Sequence, residues 1–148
     1  MPTYPFSMMP EIVRKESEAF RKAADVAVVL IAQDGISAMI DATPVDTTRA
    51  VSNWQVTKGG PAKGETPPIV KGSVKGSGAQ AARNVAKNRA AGKLTGYKSA
   101  KTVWITNNVP YISVLEYGDA KHRPNGMVAK GLQAMKLRAS SIRIITKE

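Results

Sequence analysis

The chain lacks the residues from which most catalytic and metal sites are built. Its 148 residues include no cysteine and one histidine, His122. Without cysteine there is neither a disulfide framework nor a thiolate metal site. His122 lies between Lys121 and Arg123 in a predicted loop, and the sequence offers it no orienting carboxylate of the kind that a Ser-His-Asp site requires. We therefore expect His122 to be a surface residue and not a catalytic base.

Other catalytic patterns are missing as well. Asp34, Asp41 and Asp46 are spaced too widely to form a loop site of the calcium type. The glycines of residues 72–78 precede a predicted helix, but they have neither the spacing of a P-loop nor the preceding strand of a dinucleotide site. We predict no catalytic residue, no cofactor and no metal. The sequence favours a protein that acts by shape and contact over an enzyme.

Aromatic residues are scarce, at 5%, and long apolar runs are missing. The longest apolar run, residues 26–32, is far shorter than the roughly 20 residues that a membrane-spanning helix needs. The first ten residues contain three prolines and no basic leader of the signal-peptide type. These features predict a soluble protein that is neither secreted nor a partner of membranes.

Acidic residues are nearly absent from one segment, residues 58–101. This segment has ten basic residues and a single acid, Glu65, while the whole chain has a net charge of +11. Such a local field attracts phosphate polymers or an acidic protein surface, although a solvated lysine-rich loop is an equally good interpretation. The candidate contacts to DNA phosphate or to an acidic partner are Lys58, Lys63, Lys71, Lys75, Arg83, Lys87, Arg89 and Lys93.

Apolar residues at helical spacing predict a long first helix from Glu11 to about Asp41, with Gly35 as its weak point. Its second half is apolar on nearly all sides, which indicates burial on more than one side. Part of so long a helix is expected to pack against another subunit. Residues 1–10 are predicted to be an extended arm that docks on a neighbour.

The remaining elements are predicted from alternation and turn residues. Residues 52–57 and 100–106 alternate like strands, and residues 58–78 read as a long loop between them. A helix over 79–91, closed by the glycine that follows, has an apolar face made almost entirely of alanine. We expect this helix to stay on the surface or to order on a partner. A last amphipathic helix is predicted over 126–138.

These elements give an α+β fold. A long N-terminal helix and a C-terminal helix pack on a small antiparallel sheet that carries a long basic loop. Residues 11–148 form one domain, with residues 58–101 as its basic insertion. The aromatic residues are candidate core anchors or subunit-interface residues, since Trp and Tyr serve both roles; they are Tyr4, Phe6, Trp54, Trp104, Tyr111 and Tyr117.

Two blocks of the sequence resemble a known family. Residues 43–47 read Thr-Pro-Val-Asp-Thr and are followed by Ser-Asn-Trp-Gln-Val at 52–56. Residues 107–111 read Asn-Asn-Val-Pro-Tyr, and Leu-Glu-Tyr-Gly at 115–118 and Pro-Asn-Gly-Met at 124–127 follow in order. The succession is similar to that of the tail-component or tail-completion proteins of long-tailed bacteriophages. Thr48 departs from the pattern, because the family usually has glycine there.

The resemblance implies a structural virion protein, present in host cytoplasm during assembly, that forms a ring at the neck where the tail joins the head. Its partners would be copies of itself, in a ring of about six, together with neighbouring neck and tail proteins and the phosphates of the DNA in the channel. Completion, terminator and adaptor rings all remain open. A non-specific nucleic-acid-binding module that uses residues 58–101 is the alternative function.

Overall fold

The structure, a computed structural model, describes residues 6–69, 78–98 and 101–143. Of the residues predicted to be functional, Tyr4, Lys71 and Lys75 and the side chain of Phe6 lie outside this description. After a short 3-10 turn at Phe6–Met8, the described elements are α1 (Met9–Ala42), α2 (Arg49–Ser52), β1 (Trp54–Lys58), α3 (Ala79–Leu94), β2 (Val103–Asn107), α4 (Ile112–Tyr117) and α5 (Met127–Ser141).

The first helix, α1, is longer than the sequence predicts. It has 34 residues, with a proline in its first turn and Glu11 near the positive end of the helix dipole. It ends where Thr43 turns extended, as expected of a residue before proline. The helix and the 3-10 turn include residues 6–10, so the prediction of an extended arm is wrong for this part of the chain. At 1.5 Å per residue, α1 is about 50 Å long.

Gly35 does not break α1, because it is a contact point for α5. A side chain at Gly35 would collide with Met135, and one at Gly131 would collide with Met39 and approach the Gly35 carbonyl oxygen to 3.0 Å. The two helices therefore run antiparallel, with a methionine of each seated on a glycine of the other. Close by, the Arg138 guanidinium donates to both carboxylate oxygens of Asp34, at 2.7 and 3.1 Å.

β1 and β2 form a two-stranded antiparallel sheet, with Trp54 opposite Asn107 and Lys58 opposite Val103. α3 packs on β1 and on α1. Its apolar side is a stripe at four-residue spacing that is almost completely buried: Ala82, Ala86, Ala90 and Leu94.

Two predictions about α3 are therefore wrong. The alanine stripe is part of the core, because small side chains let α3 approach α1 and β1 closely. The helix also does not end at Gly92. It continues to Leu94, and the turn after it has its glycine at Gly96, with φ +72°.

The predicted α+β fold class is confirmed: a long N-terminal helix, a C-terminal helix and a small antiparallel sheet form the described part of the chain. α5 packs mainly along α1, and the helix that covers β1 is α3. The core contains Ile36, Ile40 and Val51 together with the alanine stripe.

α1 also passes a test of length and composition for a membrane-spanning helix, with an 18-residue window of mean hydropathy 1.6. Buried helices of water-soluble proteins pass the same test. Towards its C-terminal end α1 is covered by protein: Ala32, Gly35, Ile36, Met39 and Ile40 are all buried within the chain.

Candidate functional site

The first motif block is held together by the buried side chain of Trp54. Its indole Nε1 donates to the hydroxyl of Thr43 at 2.7 Å, and that hydroxyl donates to the Met39 carbonyl oxygen at 2.6 Å. Thr43 ends α1 and Trp54 begins β1, so this chain of hydrogen bonds fixes the strand to the end of the helix. Of the two interpretations of Trp54, the structure supports the core anchor.

Ser52 and Asn53 serve the same block by holding the loop that follows β1. The Asn53 amide group donates to the Thr66 carbonyl oxygen at 3.0 Å, and its oxygen accepts from the Thr66 backbone amide at 2.7 Å. The Ser52 hydroxyl accepts from the backbone amide of Ile69 at 2.8 Å. Both side chains are fully buried, so their polar atoms need these partners.

Thr48 has left-handed backbone geometry, with φ +60°. Among the described residues it is the only non-glycine residue with positive φ. A β-branched residue is unfavourable in this region, which glycine enters freely. The turn before α2 thus keeps the geometry of a glycine position, although threonine occupies it.

The second motif block joins α4 to α5. The buried Glu116 carboxylate accepts from the backbone amides of Val128 and Ala129, at 2.8 and 3.3 Å, in the first turn of α5. The Asn125 backbone and side chain both donate to the Leu115 carbonyl oxygen, at 2.9 and 3.0 Å. Gly118 has φ +75°, and a side chain there would collide with the backbone at His122 and Pro124. Glu116, Gly118 and Asn125 therefore each have a structural role in this link.

His122 does have a carboxylate neighbour, which the sequence analysis missed. Its Nδ1 lies 2.8 Å from Oδ1 of Asp119, three residues earlier. The same oxygen accepts from the backbone amides of Lys121 and His122 at 2.8 Å, and these bonds lower the pKa of Asp119. The contact thus belongs to a tight local turn, in which both side chains are exposed to solvent.

This turn borders a surface cleft of about 400 Å³ between the two motif blocks. Its lining comprises Pro44, Val45, Asp46, Thr47, Thr48, Ala50, Tyr111, Leu115 and His122. Tyr111 is half-buried at this cleft, with the Arg49 guanidinium 5.7 Å from the centre of its ring. Arg49 also binds both carboxylate oxygens of Glu65 at 2.8 Å, which lowers the pKa of Glu65. The ion pair with Glu65 thus places the Arg49 guanidinium against the ring of Tyr111.

Three of the predicted phosphate-binding residues already bind other groups of the same chain. Arg83 donates to the Thr43 carbonyl oxygen at 3.1 Å, and Lys87 forms an ion pair with Asp41 at 2.7 Å. Arg89 donates to the carbonyl oxygens of Ser52 and Trp54. These side chains connect α3 to the elements beneath it, which the lysine and arginine count of the segment could not indicate.

The other described candidates in this segment, Lys58, Lys63 and Lys93, are exposed. Lys58 makes one long hydrogen bond, of 3.4 Å, to the Thr95 carbonyl oxygen. Only some of the basic side chains of the segment therefore remain available to a partner in the folded chain.

The first half of α1 leaves an apolar side uncovered. Met9, Val13 and Phe20 are four and seven residues apart and so lie on one side, and Val13 and Phe20 are 56% and 52% exposed. The opposite side carries two ion pairs at helical spacing, Glu11 with Lys15 and Arg14 with Glu18. An amphipathic helix of this type normally buries its apolar side against a partner.

Further apolar side chains are exposed elsewhere. Leu132 and Leu137 of α5 are 49% and 65% exposed, so the predicted apolar side of this helix is only partly buried, through Met127 and Met135. Tyr117 is 79% exposed at the end of α4, and Trp104 is 40% exposed on β2. Of the six aromatic candidates, Trp54 therefore belongs to the core, whereas Trp104 and Tyr117 are surface residues.

Comparisons of the chain with protein-family models, with curated proteins and with solved structures give no match. Within residues 6–69, 78–98 and 101–143, no group of three or more His, Cys, Asp or Glu side chains lies close enough to hold a metal ion.

Proposed function

We propose that the chain is a structural virion protein of a tailed bacteriophage, which assembles into a ring at the neck and joins the tail to the head around the DNA channel. The uncovered apolar side of the first half of α1 carries this proposal. This half of α1 is amphipathic: its apolar side has no partner among the described residues, and its polar side is already ion-paired.

The positions of the exposed apolar residues support a ring over a two-fold dimer. One set lies on the first half of α1 and another on α5, which packs on the opposite half of that helix. Two different surfaces of one chain that bind each other make a head-to-tail contact, and such contacts form a ring when the rotation from copy to copy closes. Tyr117 and Trp104 are residue types that are common in protein interfaces.

The motif blocks support the phage-neck assignment. They resemble the tail-completion family in order and spacing. Their residues in this chain act as structural links, with Trp54 bound to Thr43 and Glu116 bound to the start of α5. Motif residues that serve as such links maintain the shape of the protein, which agrees with a scaffolding role.

The test is whether purified phage particles contain the chain at the neck. We expect a ring of copies there by electron microscopy, and we expect Phe20→Glu to abolish incorporation. Arg21→Ala, one residue further along and on the polar side, is the matched control and should be incorporated normally. Particles that lack the chain, or that incorporate Phe20→Glu as well as the wild type, would contradict the proposal.

Non-specific nucleic-acid binding through residues 58–101 is the less supported alternative. Arg83, Lys87 and Arg89 already have partners within the chain. Binding of duplex DNA should accordingly be weak and should fall steeply between 50 and 200 mM salt. The slope of the logarithm of the affinity against the logarithm of the salt concentration should be roughly the number of phosphates contacted. Tight, sequence-dependent binding at physiological salt would favour the alternative over the ring.

A further inference from the structure

A groove of about 550 Å³ lies along the middle of α1, where this helix passes the end of α5. Its lining comprises Lys22, Ala23, Val26, Ala27 and Leu30 of α1 together with Ile142 and Arg143. Four of the five α1 residues are apolar, and Val26 is 58% exposed. The middle of α1 thus has an apolar surface that the described residues cover only in part.

The chain itself leads into this groove. α5 ends at Ser141, and Ile142 is extended, with φ −77° and ψ 127°. Ile142 and Arg143 are the last residues that the structure describes, and both line the groove. The residues that come next in the sequence therefore start at the groove.

The antiparallel packing of α5 on α1 sets the direction of the chain at this point. Met135 lies against Gly35, and Arg138, further along α5, binds Asp34, which is nearer the start of α1. A chain that leaves α5 and keeps this direction runs towards the N-terminal end of α1.

The spacing of an extended chain places Ile144 beside Ala23. An extended chain advances about 3.3 Å per residue and a helix about 1.5 Å, so one extended residue passes roughly two helical ones. Two residues beyond Ile142 thus pass about four residues of α1. Since Ile142 lies in the groove with Val26, Ala27 and Leu30, the position reached is that of Ala23.

Residues 144–148, which lie outside the described residues, read Ile-Ile-Thr-Lys-Glu. Side chains two positions apart in an extended chain point to the same side. An extended continuation would therefore turn Ile144 to the same side as Ile142, towards α1, and Ile145 to the opposite side. The segment thus brings an isoleucine to an apolar groove at the right spacing.

We propose that residues 144–148 continue along this groove of the same chain in extended form, with Ile144 packed on Ala23 and Val26. Burial of these apolar side chains drives the contact. The segment covers the middle of α1 and so limits the surface open to a neighbouring copy to the first half of this helix. The proposal does not depend on the neck assignment, because it concerns one chain alone.

Residues 1–5 and 99–100 are poor occupants of the groove. Phe6 precedes Ala23 by about 25 Å along the helix axis, at 1.5 Å per residue. Five extended residues span at most about 18 Å, so residues 1–5 do not reach Ala23. Residues 99–100 read Ser-Ala and have no large apolar side chain.

Residues 70–77 are attached at the other end of α1. The residue before them, Ile69, is bonded to Ser52, and the helix after them contacts Thr43 through Arg83. Eight residues held at both ends reach about 14 Å from their attachment, whereas Thr43 and the groove are separated by about 30 Å of helix. A second copy of the chain is the remaining occupant, and the experiment distinguishes it.

The test is disulfide formation in Ala23→Cys/Ile144→Cys, which is clean because the chain has no cysteine of its own. A disulfide requires the two Cα atoms to lie within about 7 Å. With diamide as the oxidant, we expect a product with the mass of one chain that lacks the two thiol hydrogens. Trypsin should then release the two cysteine peptides joined to each other.

Arg21→Cys/Ile144→Cys is the matched control, because Arg21 is close to Ala23 in sequence but lies on the polar side of α1. Its disulfide should form at least about tenfold more slowly, since the helix separates the two thiols. Equal rates for the two pairs, or a disulfide that joins two chains in Ala23→Cys/Ile144→Cys, would overturn the proposal. The readout within one chain is the same whether or not the protein belongs to a phage neck.

A pair of neighbouring substitutions tests the alternation. Ile144→Ser should lower the midpoint of thermal unfolding by about 3 °C, and Ile145→Ser by about 1 °C or less, because only Ile144 is packed on α1. Circular dichroism measures both midpoints. Equal shifts, or a larger shift for Ile145→Ser, would contradict an extended segment in this register.

Discussion

The two halves of α1 differ in composition and in surroundings, since the first half carries most of the charged residues of the helix and the second half is largely apolar. Residues 32–40 include five buried positions, pressed against α5 and α3. Residues 9–22 are equally helical, yet Val13 and Phe20 are more than half exposed. A helix in water usually gains its stability from packing its apolar side. The chain by itself thus buries the apolar side of one half of its longest helix and leaves that of the other half for a partner.

The largest effect should come from filling the contact between the covered half and α5. Gly131→Leu would force a side chain into Met39 and against the Gly35 carbonyl oxygen. Overpacking of this kind should lower the free energy of unfolding by about 3 kcal/mol. Urea denaturation followed by circular dichroism measures it.

Gly92 of α3 is the matched control for Gly131. It is also a helical glycine, but a side chain there would meet nothing within 4 Å. Gly92→Ala should therefore stabilise the protein by about 0.5–1 kcal/mol through helix propensity alone. Equal destabilisation at both glycines would show that the α1–α5 contact is not as described.

Removing the hydrogen bond that joins β1 to the end of α1 should have the next largest effect. Trp54→Phe keeps an aromatic ring but loses the donor to Thr43. Loss of a buried hydrogen bond should cost about 1–2 kcal/mol. Trp104→Phe, on the exposed surface of β2, should change the midpoint of thermal unfolding little. If the two substitutions lower the free energy of unfolding equally, Trp54 does not anchor β1 to the end of α1.

Glu116→Gln tests the support of α5 from α4. The amide keeps the size and one acceptor oxygen of the carboxylate, but it loses the negative charge at the positive end of the helix dipole. The expected loss is about 1 kcal/mol of unfolding free energy in a urea titration. Glu16→Gln, on the exposed half of α1, is the control and should be nearly neutral. A neutral Glu116→Gln would remove the assigned role.

The smallest effect concerns the ion pair between Arg138 of α5 and Asp34 of α1. The Arg138 guanidinium lowers the pKa of Asp34 from its ordinary value of 3.8, so the pair stabilises the fold above about pH 4 and loses this effect as the pH falls. Since both side chains are partly exposed, Asp34→Asn should cost about 0.5 kcal/mol at pH 7. The difference from the wild type should shrink towards pH 3; a difference that grows on acidification would contradict this assignment.

Most of the helices and strands could be predicted from the sequence. Helical spacing indicated α1 and α5, and alternation indicated β1 and β2. The role of Trp54 remained open, because burial of an indole depends on residues such as Thr43 that come from another element. The buried alanine stripe of α3 was predicted wrongly, since small side chains give no local signal of close helix packing.

The candidate site was less predictable than the fold. A count of basic residues cannot reveal that Arg83 and Lys87 bind the end of α1, because these contacts span 40 or more residues. The contact between His122 and Asp119 was missed although it is local. An aspartate three residues before a histidine, in a loop, is the signal that could have found it.

The most direct measurement is the native mass of the purified protein, with and without a change on the uncovered half of α1. We expect a closed oligomer for the wild type and a folded monomer for Val13→Ser/Phe20→Ser that still unfolds cooperatively in urea. A wild-type protein that stays monomeric at high concentration, or a double variant that keeps the wild-type mass, would contradict the account.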